Sequence, residues 1–387
     1  MERIASSRSV EAVRWDRLTV GIGLAYALLA WSVGYGAVLP ELRDDLHLTA
    51  SVAAFHGSLF GICLLLFATA GRRLLTHLPN RTIIAASVIA MLGGGALFGT
   101  GTVPAVTLLG AAIAGAGSAC LVIVVPAVVF AHQPTASTET MAVLNTFPMA
   151  SAVLLPLVVG LAIARDVTWR AAYLAPLALI AVAIVLTTGR AVVPAALPAE
   201  PISLASLFRV PKMSRRWAVL ACGVLVEIGT GIWAASIMGK LGGASKGLAA
   251  VLTIGFFVGM AAGRIALTRV LRRHTTERVL AFSFLGVLVA LVPFLIGPGL
   301  VGRVAGLALL GLALSAIYPL SIARMFELHD DTAALGRAAA IASGVGVTFG
   351  PLLLGTLSDI VGLSWATVVL PVFAVAGLLM IERASPA

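Results

Sequence analysis

The sequence predicts an all-α polytopic membrane protein with twelve transmembrane helices in two pseudo-symmetric halves of six. Three observations predict it: an extreme apolar composition, twelve apolar runs separated by turn chemistry or charge, and short motifs that recur at about half the chain length. Of 387 residues, 60% are hydrophobic and only 11% charged, and the mean hydropathy is +1.07. A soluble domain carries roughly a quarter charged residues, so the bilayer must be the solvent here. A spanning helix takes ~20 apolar residues at ~1.5 Å rise each. Twelve use about 240 residues, leaving short loops and no room for a separate soluble domain.

The first run, Leu18 to Leu39, follows Arg3, Arg8, Arg14 and Arg17 and carries no charge. It is too long for the core of a cleavable signal and reads as a span. The spans are expected near 18–39, 52–70, 82–100, 103–130, 140–164, 171–189, 217–239, 247–268, 279–297, 302–323, 337–357 and 362–381. Gly99-Thr100-Gly101 with Pro104, and Gly297-Pro298-Gly299, each divide a long apolar stretch into two helices.

Net charge is +10, which on a soluble chain would suggest nucleic acid. Threaded through twelve spans, 20 of the 26 Lys and Arg fall on the side of the N-terminus and 6 on the other. That split predicts both termini in the cytoplasm of an inner-membrane protein and removes the nucleic-acid reading. Trp15, Trp217, Trp169 and Trp365 fall at span ends, where an aromatic belt is expected. Cys63, Cys120 and Cys222 lie in apolar runs and read as packing residues, not a disulfide or metal framework.

The chain also repeats itself. Gly71-Arg72 with Leu75-Thr76 returns as Gly263-Arg264 with Leu267-Thr268. Val125-Pro126 returns as Tyr318-Pro319, Pro156 with Gly160 as Pro351 with Gly355, and Trp169 as Trp365. Such a parallel duplication predicts an N-terminal half over 1–189, a Pro-rich basic loop over 190–216 and a C-terminal half over 217–387. Two repeats about an axis along the membrane normal suit a rocking machine.

This arrangement resembles the major facilitator superfamily. Trp169-Arg170-Ala171-Ala172-Tyr173 is similar to that family's sixth-helix signature, and Gly350-Pro351 through Gly355 with Asp359 resembles the end of its eleventh helix. The chain departs from the family at three places. Leu75 stands where the 2–3 loop carries aspartate, no arginine precedes Gly115-Ala116-Gly117, and Leu155-Pro156 replaces a Gly-Pro. The resemblance implies a twelve-helix transporter whose first, fourth, seventh and tenth helices line a central cavity.

On that reading Glu227, midway along the seventh span, is the leading candidate for binding a proton or a cationic group, because an ionisable residue there is functional by default. A neutral glutamate bonded to a neighbouring helix is the bland alternative. Tyr26, Trp31, Tyr35, Trp233 and Tyr318 offer aromatic faces with polar tips to a solute, or else pack helices. His56 and Asn145 read first as helix–helix hydrogen-bond partners and second as coupling or substrate groups. Gly71, Arg72, Arg73, Gly263 and Arg264 read as a gating motif in the loops. Arg303 reads as a surface anchor, and Asp44-Asp45 and Asp330-Asp331 as solvated loop charges. No P-loop and no nucleophile–base constellation is present, and no cofactor or metal is expected. The expected function is secondary active transport of a small solute, coupled to protons, by a monomer exporting amphipathic compounds. Uptake or facilitated diffusion of a polar metabolite is the rival, and a lipid-modifying membrane enzyme the alternative of another class.

Overall fold

The computed structural model describes residues 13–70, 77–188, 208–329 and 331–382. Twelve helices among them are long and apolar enough to cross a membrane: α1 Arg17–Ala37, α2 Ala50–Thr69, α3 Asn80–Thr100, α4 Pro104–His132, α5 Ser137–Ile163, α6 Trp169–Thr187, α7 Met213–Lys240, α8 Lys246–Leu271, α9 Thr276–Ile296, α10 Gly299–Phe326, α11 Ala334–Val361 and α12 Leu363–Met380. All twelve expected spans are present. Several begin a turn earlier than the apolar pattern suggests, because polar first turns are helical too. α7 starts at Met213 after Lys212 in the left-handed region (φ 71°), so Arg215 and Arg216 sit on the helix. Most of the Pro-rich loop expected at 190–216 lies outside the described residues.

The helix ends follow capping chemistry. Asp16, Thr49, Thr275 and Asp331 each accept a hydrogen bond from the exposed N–H three residues on. Thr19 and His132 hydrogen-bond the Asp16 carboxylate and, against the opposing effect of its burial, hold its pKa down at about 2. Five spans are interrupted, and each interruption carries a side chain that returns a hydrogen bond to a nearby carbonyl. Ser32 donates to Leu29 (3.0 Å), Asn145 to Met141 (2.8 Å), Thr253 to Ala250 (2.7 Å), Ser315 to Leu312 (2.7 Å) and Thr367 to Ser364 (2.7 Å). Hydrocarbon supplies no partner for a freed carbonyl, so a break inside a span needs such a donor.

Twelve crossings put residues 13 and 382 at the same end, here called the basic end. There each half ties its first helix to its fourth. In the N-terminal half Asp16 meets His132 at 2.7 Å, and the Arg14 N–H donates to Gln133 at 2.9 Å. In the C-terminal half Arg216 reaches the Arg324 carbonyl and Glu327 (3.0 Å), and Arg324 meets Glu277 and Glu382 (2.9 Å). These clusters make each half a unit.

The halves meet along glycine seams, mostly toward the far end. α2 lies on α11: a Cβ at Gly61 would sit 2.5 Å from the Thr348 nitrogen, and one at Gly355 would sit 2.7 Å from the Ala50 oxygen. The Ser58 hydroxyl donates to the Thr348 carbonyl at 2.7 Å. On the opposite flank Gly160 of α5 faces Gly247 of α8, each backbone oxygen 2.5–2.6 Å from where the other's Cβ would stand. Gly36, at the end of α1, touches the Gly231 carbonyl of α7. α4 and α10 pack chiefly within their own halves.

Gly61→Val should wedge α2 off α11 and destabilise the protein by about 1–3 kcal/mol, as overpacking does. Gly93→Ala, on a helix face with nothing within 4 Å, should leave the melting temperature in detergent unchanged.

Candidate functional site

Four charged or phenolic residues come together midway along the bundle. Counting helix rise from the basic end puts Arg264 roughly 10 Å deep, Tyr318 and Tyr26 about 12–14 Å, and Glu227 about 21 Å. Tyr318 of α10 lies within electrostatic reach of Glu227 of α7, Arg264 of α8 and Tyr26 of α1, and near Ser343 of α11, whose hydroxyl donates to the Ala339 carbonyl at 2.9 Å. Tyr318 is 40% exposed although it lies well inside the span.

Glu227 and Arg264 are half-buried, and among the described residues neither makes a hydrogen bond or an ion pair. Each lies close enough to act on the other electrostatically, though they do not touch. A charge in mid-membrane costs ~2.5–3.5 kcal/mol on insertion scales. Two such groups left without direct partners mark the candidate site.

The backbone explains how Arg264 arrives there. Gly263 is buried against Ser315 and Leu312 of α10, so α8 approaches α10 closely beside Tyr318. Gly263 and Arg264, grouped by sequence with a loop motif, thus lie inside a helix that continues to Leu271. Their counterparts Gly71, Arg72 and Arg73 fall outside the described residues.

The other candidates are placed elsewhere. The Trp31 indole donates to the Tyr173 carbonyl (2.9 Å), and the Tyr173 hydroxyl returns to the Ser32 carbonyl (2.9 Å), fastening α1 to α6. Trp233 donates to the Pro351 carbonyl at 3.1 Å, fastening α7 to α11. His56 is fully buried between the Val52 carbonyl (3.0 Å) and the Thr107 hydroxyl (2.9 Å). Tyr35 packs edge-on against His56 and tilted against Phe98, its buried hydroxyl without a partner among the described residues. Asn145 serves the break in α5. None of these five belongs to the Glu227 cluster. Trp169, expected in an interfacial belt, is instead buried, donating to Asp45 at 2.7 Å with the Arg170 guanidinium over its ring.

The far end is closed by charge as well as by glycine contacts. Lys246 at the start of α8 meets Asp44 (2.6 Å) and Glu41 (3.6 Å), which lie on the short helix Leu39–Leu46 of the other half. Burial raises the Glu41 pKa while Lys246 opposes the rise. The Asp359 carboxylate of α11 accepts from the Ala50 and Ser51 N–H groups (2.7 and 2.8 Å), capping α2 across the seam. Of the aspartates expected as solvated charges, Asp44 is exposed but also pairs with Lys246, Asp45 and Asp331 accept hydrogen bonds, and Asp330 lies outside the described residues. Arg303, expected as a surface anchor, donates to the Phe294 and Leu295 carbonyls. Sequence reasoning missed the Lys246 lock, although Lys246 is one of only three lysines in the chain.

The profile of the Major Facilitator Superfamily matches residues 20–325. The chain belongs to this superfamily. Solved structures of the same fold include a variant of the nucleoside transporter NupG, at 14% identity and a TM-score of 0.76 over 94% of this chain and 98% of that one. They also include a bacterial homolog of the human lysosomal transporter Spinster in its inward-facing, unoccupied form. That likeness has 16% identity and a TM-score of 0.74, over 97% of this chain and all of the other. No curated protein matches the sequence. The chain is thus a multi-pass membrane transporter of the superfamily, a transporter rather than an enzyme, with a small-molecule substrate.

Neutralising the far-end lock should shift the halves toward separation there. With spin labels at Val103 and Val301, at the far ends of α4 and α10, Lys246→Ala should raise the long-distance population by up to ~5-fold, the worth of ~1 kcal/mol for an exposed pair. Asp359→Asn should act in the same direction with about the weight of a lost helix cap, ~1 kcal/mol.

Proposed function

We propose that this transporter is proton-coupled, that Glu227 carries the proton, and that solute binds in the gap bordered by Glu227, Arg264, Tyr318 and Tyr26. The observation that carries the reading is the unpaired Glu227 in mid-membrane facing a guanidinium it does not touch. Protonation removes the carboxylate charge from the gap and so changes the cost of presenting the site to either side. With the far-end lock closed, the gap opens toward the basic end. Opening the lock while the basic ends close reverses the access. The excess of Lys and Arg supports a cytoplasmic basic end in the inner membrane, with both termini inside and a six-helix half on each side of the 190–216 loop. We take the working unit to be a monomer.

Export of an amphipathic compound remains the direction expected from an apolar-walled gap. The polar groups Arg264, Tyr318 and Ser343 favour the second reading, uptake or facilitated diffusion of a polar metabolite. Imposing the pH gradient in each orientation across sealed vesicles separates the two.

In proteoliposomes Glu227→Gln should abolish accumulation driven by a pH gradient, at least 10-fold, while solute exchange without a gradient continues. Normal gradient-driven accumulation by that variant at every pH would overturn the proposal.

A further inference from the structure

We infer that Arg264 anchors an anionic group on the transported solute, so that the substrate class is a small organic monoanion of the carboxylate type that moves together with a proton. This rests on the gap being the transport site. The other span arginines that are buried or half-buried have protein partners, and those without one are exposed near span ends. Arg170 donates to the Gly99 and Gly101 carbonyls, Arg303 to the end of α9, and Arg216 and Arg324 share carboxylates at the basic end. Arg264 is half-buried and has neither a hydrogen bond nor an ion pair among the described residues. Its side chain leans toward the N-terminus of α8, which is toward the interior of the bundle.

Charge balance selects the ligand. A guanidinium stays charged in a protein, whereas a carboxyl can neutralise itself by taking a proton. When Glu227 is protonated, the gap therefore holds one uncompensated positive charge. A monoanion restores neutrality there, a cation is repelled, and a neutral solute leaves the guanidinium fork unfilled. The fork matches a carboxylate in two parallel hydrogen bonds, a geometry that lysine does not reproduce. Tyr318 lies within electrostatic reach of both charged residues and of Tyr26 from the other half. The two phenols thus sit where the solute's ring or apolar body would lie, and Tyr318 can hydrogen-bond its polar end.

The test uses the purified full-length protein at a pH below neutrality, with benzoate, benzamide and benzylamine as matched ring probes and hexanoate as a chain carboxylate. Thermal-shift titration should show saturable stabilisation by at least one carboxylate and none by the amide or amine. Arg264→Gln should weaken that binding at least 10-fold at an unchanged unliganded melting temperature, and Arg264→Lys should restore it in part. If Arg264→Gln melts early, protection of wild-type Arg264 from a guanidinium-selective dicarbonyl reagent by the carboxylate decides instead. Absence of stabilisation by either carboxylate, equal binding of the amide or amine, or undiminished carboxylate binding without Arg264 would overturn the assignment. Carboxylate transport that depends on Arg264 but ignores the pH gradient and Glu227→Gln would leave the anion assignment standing and remove proton coupling. Gradient-driven, Glu227-dependent flux of benzylamine would do the reverse.

Discussion

Hydrocarbon provides neither hydrogen-bond partners nor counter-charges, and the architecture follows from that constraint. Every span break described above is mended by a hydroxyl or amide from the break itself. Two arginines close the ends of neighbouring helices: Arg170 on the Gly99 and Gly101 carbonyls, and Arg303 on those of Phe294 and Leu295. Carboxylates and guanidiniums cluster at the basic end or lock the far end. Against that background Glu227 and Arg264 stand out, because the protein sets an acid and a base inside the spans, roughly two helical turns apart in depth, and leaves them unjoined.

The seams explain how such a site can face each side in turn. Between the halves the contacts are glycine against backbone and a few hydrogen bonds and ion pairs, including Ser58 to Thr348, Asp359 to the start of α2, and Lys246 to the short helix Leu39–Leu46. Within a half the ties are of another kind, with indoles bonded to carbonyls and charge clusters fastening the first helix to the fourth. Smooth glycine surfaces allow two packed helices to pivot without forcing side chains out of their rotamers. The ion pairs at the far end are partly exposed and individually weak, which suits a closure that must open on every cycle.

Most of the fold was legible in the sequence because its signals are strong and local. Long charge-free runs, Gly-Pro punctuation and lopsided basic residues leave little choice of topology. The site was legible only in part. Glu227 and Tyr318 are identifiable as polar groups in apolar runs, but which face a side chain occupies is not, since these helices are apolar all round and show no amphipathic stripe. Trp31, Tyr35 and Trp233 consequently looked equivalent to Tyr26 and Tyr318, although hydrogen bonds and stacking turn the first three into neighbouring helices. Arg264 was hidden by its echo of Gly71-Arg72, which suggests a loop. The expected span 247–268 already held it, and the bare Gly263 surface against Ser315 and Leu312 sets it beside Tyr318.

The central claim is that Tyr318 borders a water-accessible gap between the halves that is closed at the far end. The most direct measurement is modification of Tyr318→Cys in a background lacking Cys63, Cys120 and Cys222, using a membrane-impermeant thiol reagent applied to either face of sealed, oriented vesicles. Reaction from the basic face with protection from the far face is the expected result. Reaction only with a lipid-soluble reagent, and from neither aqueous side, would place Tyr318 against lipid and contradict the account.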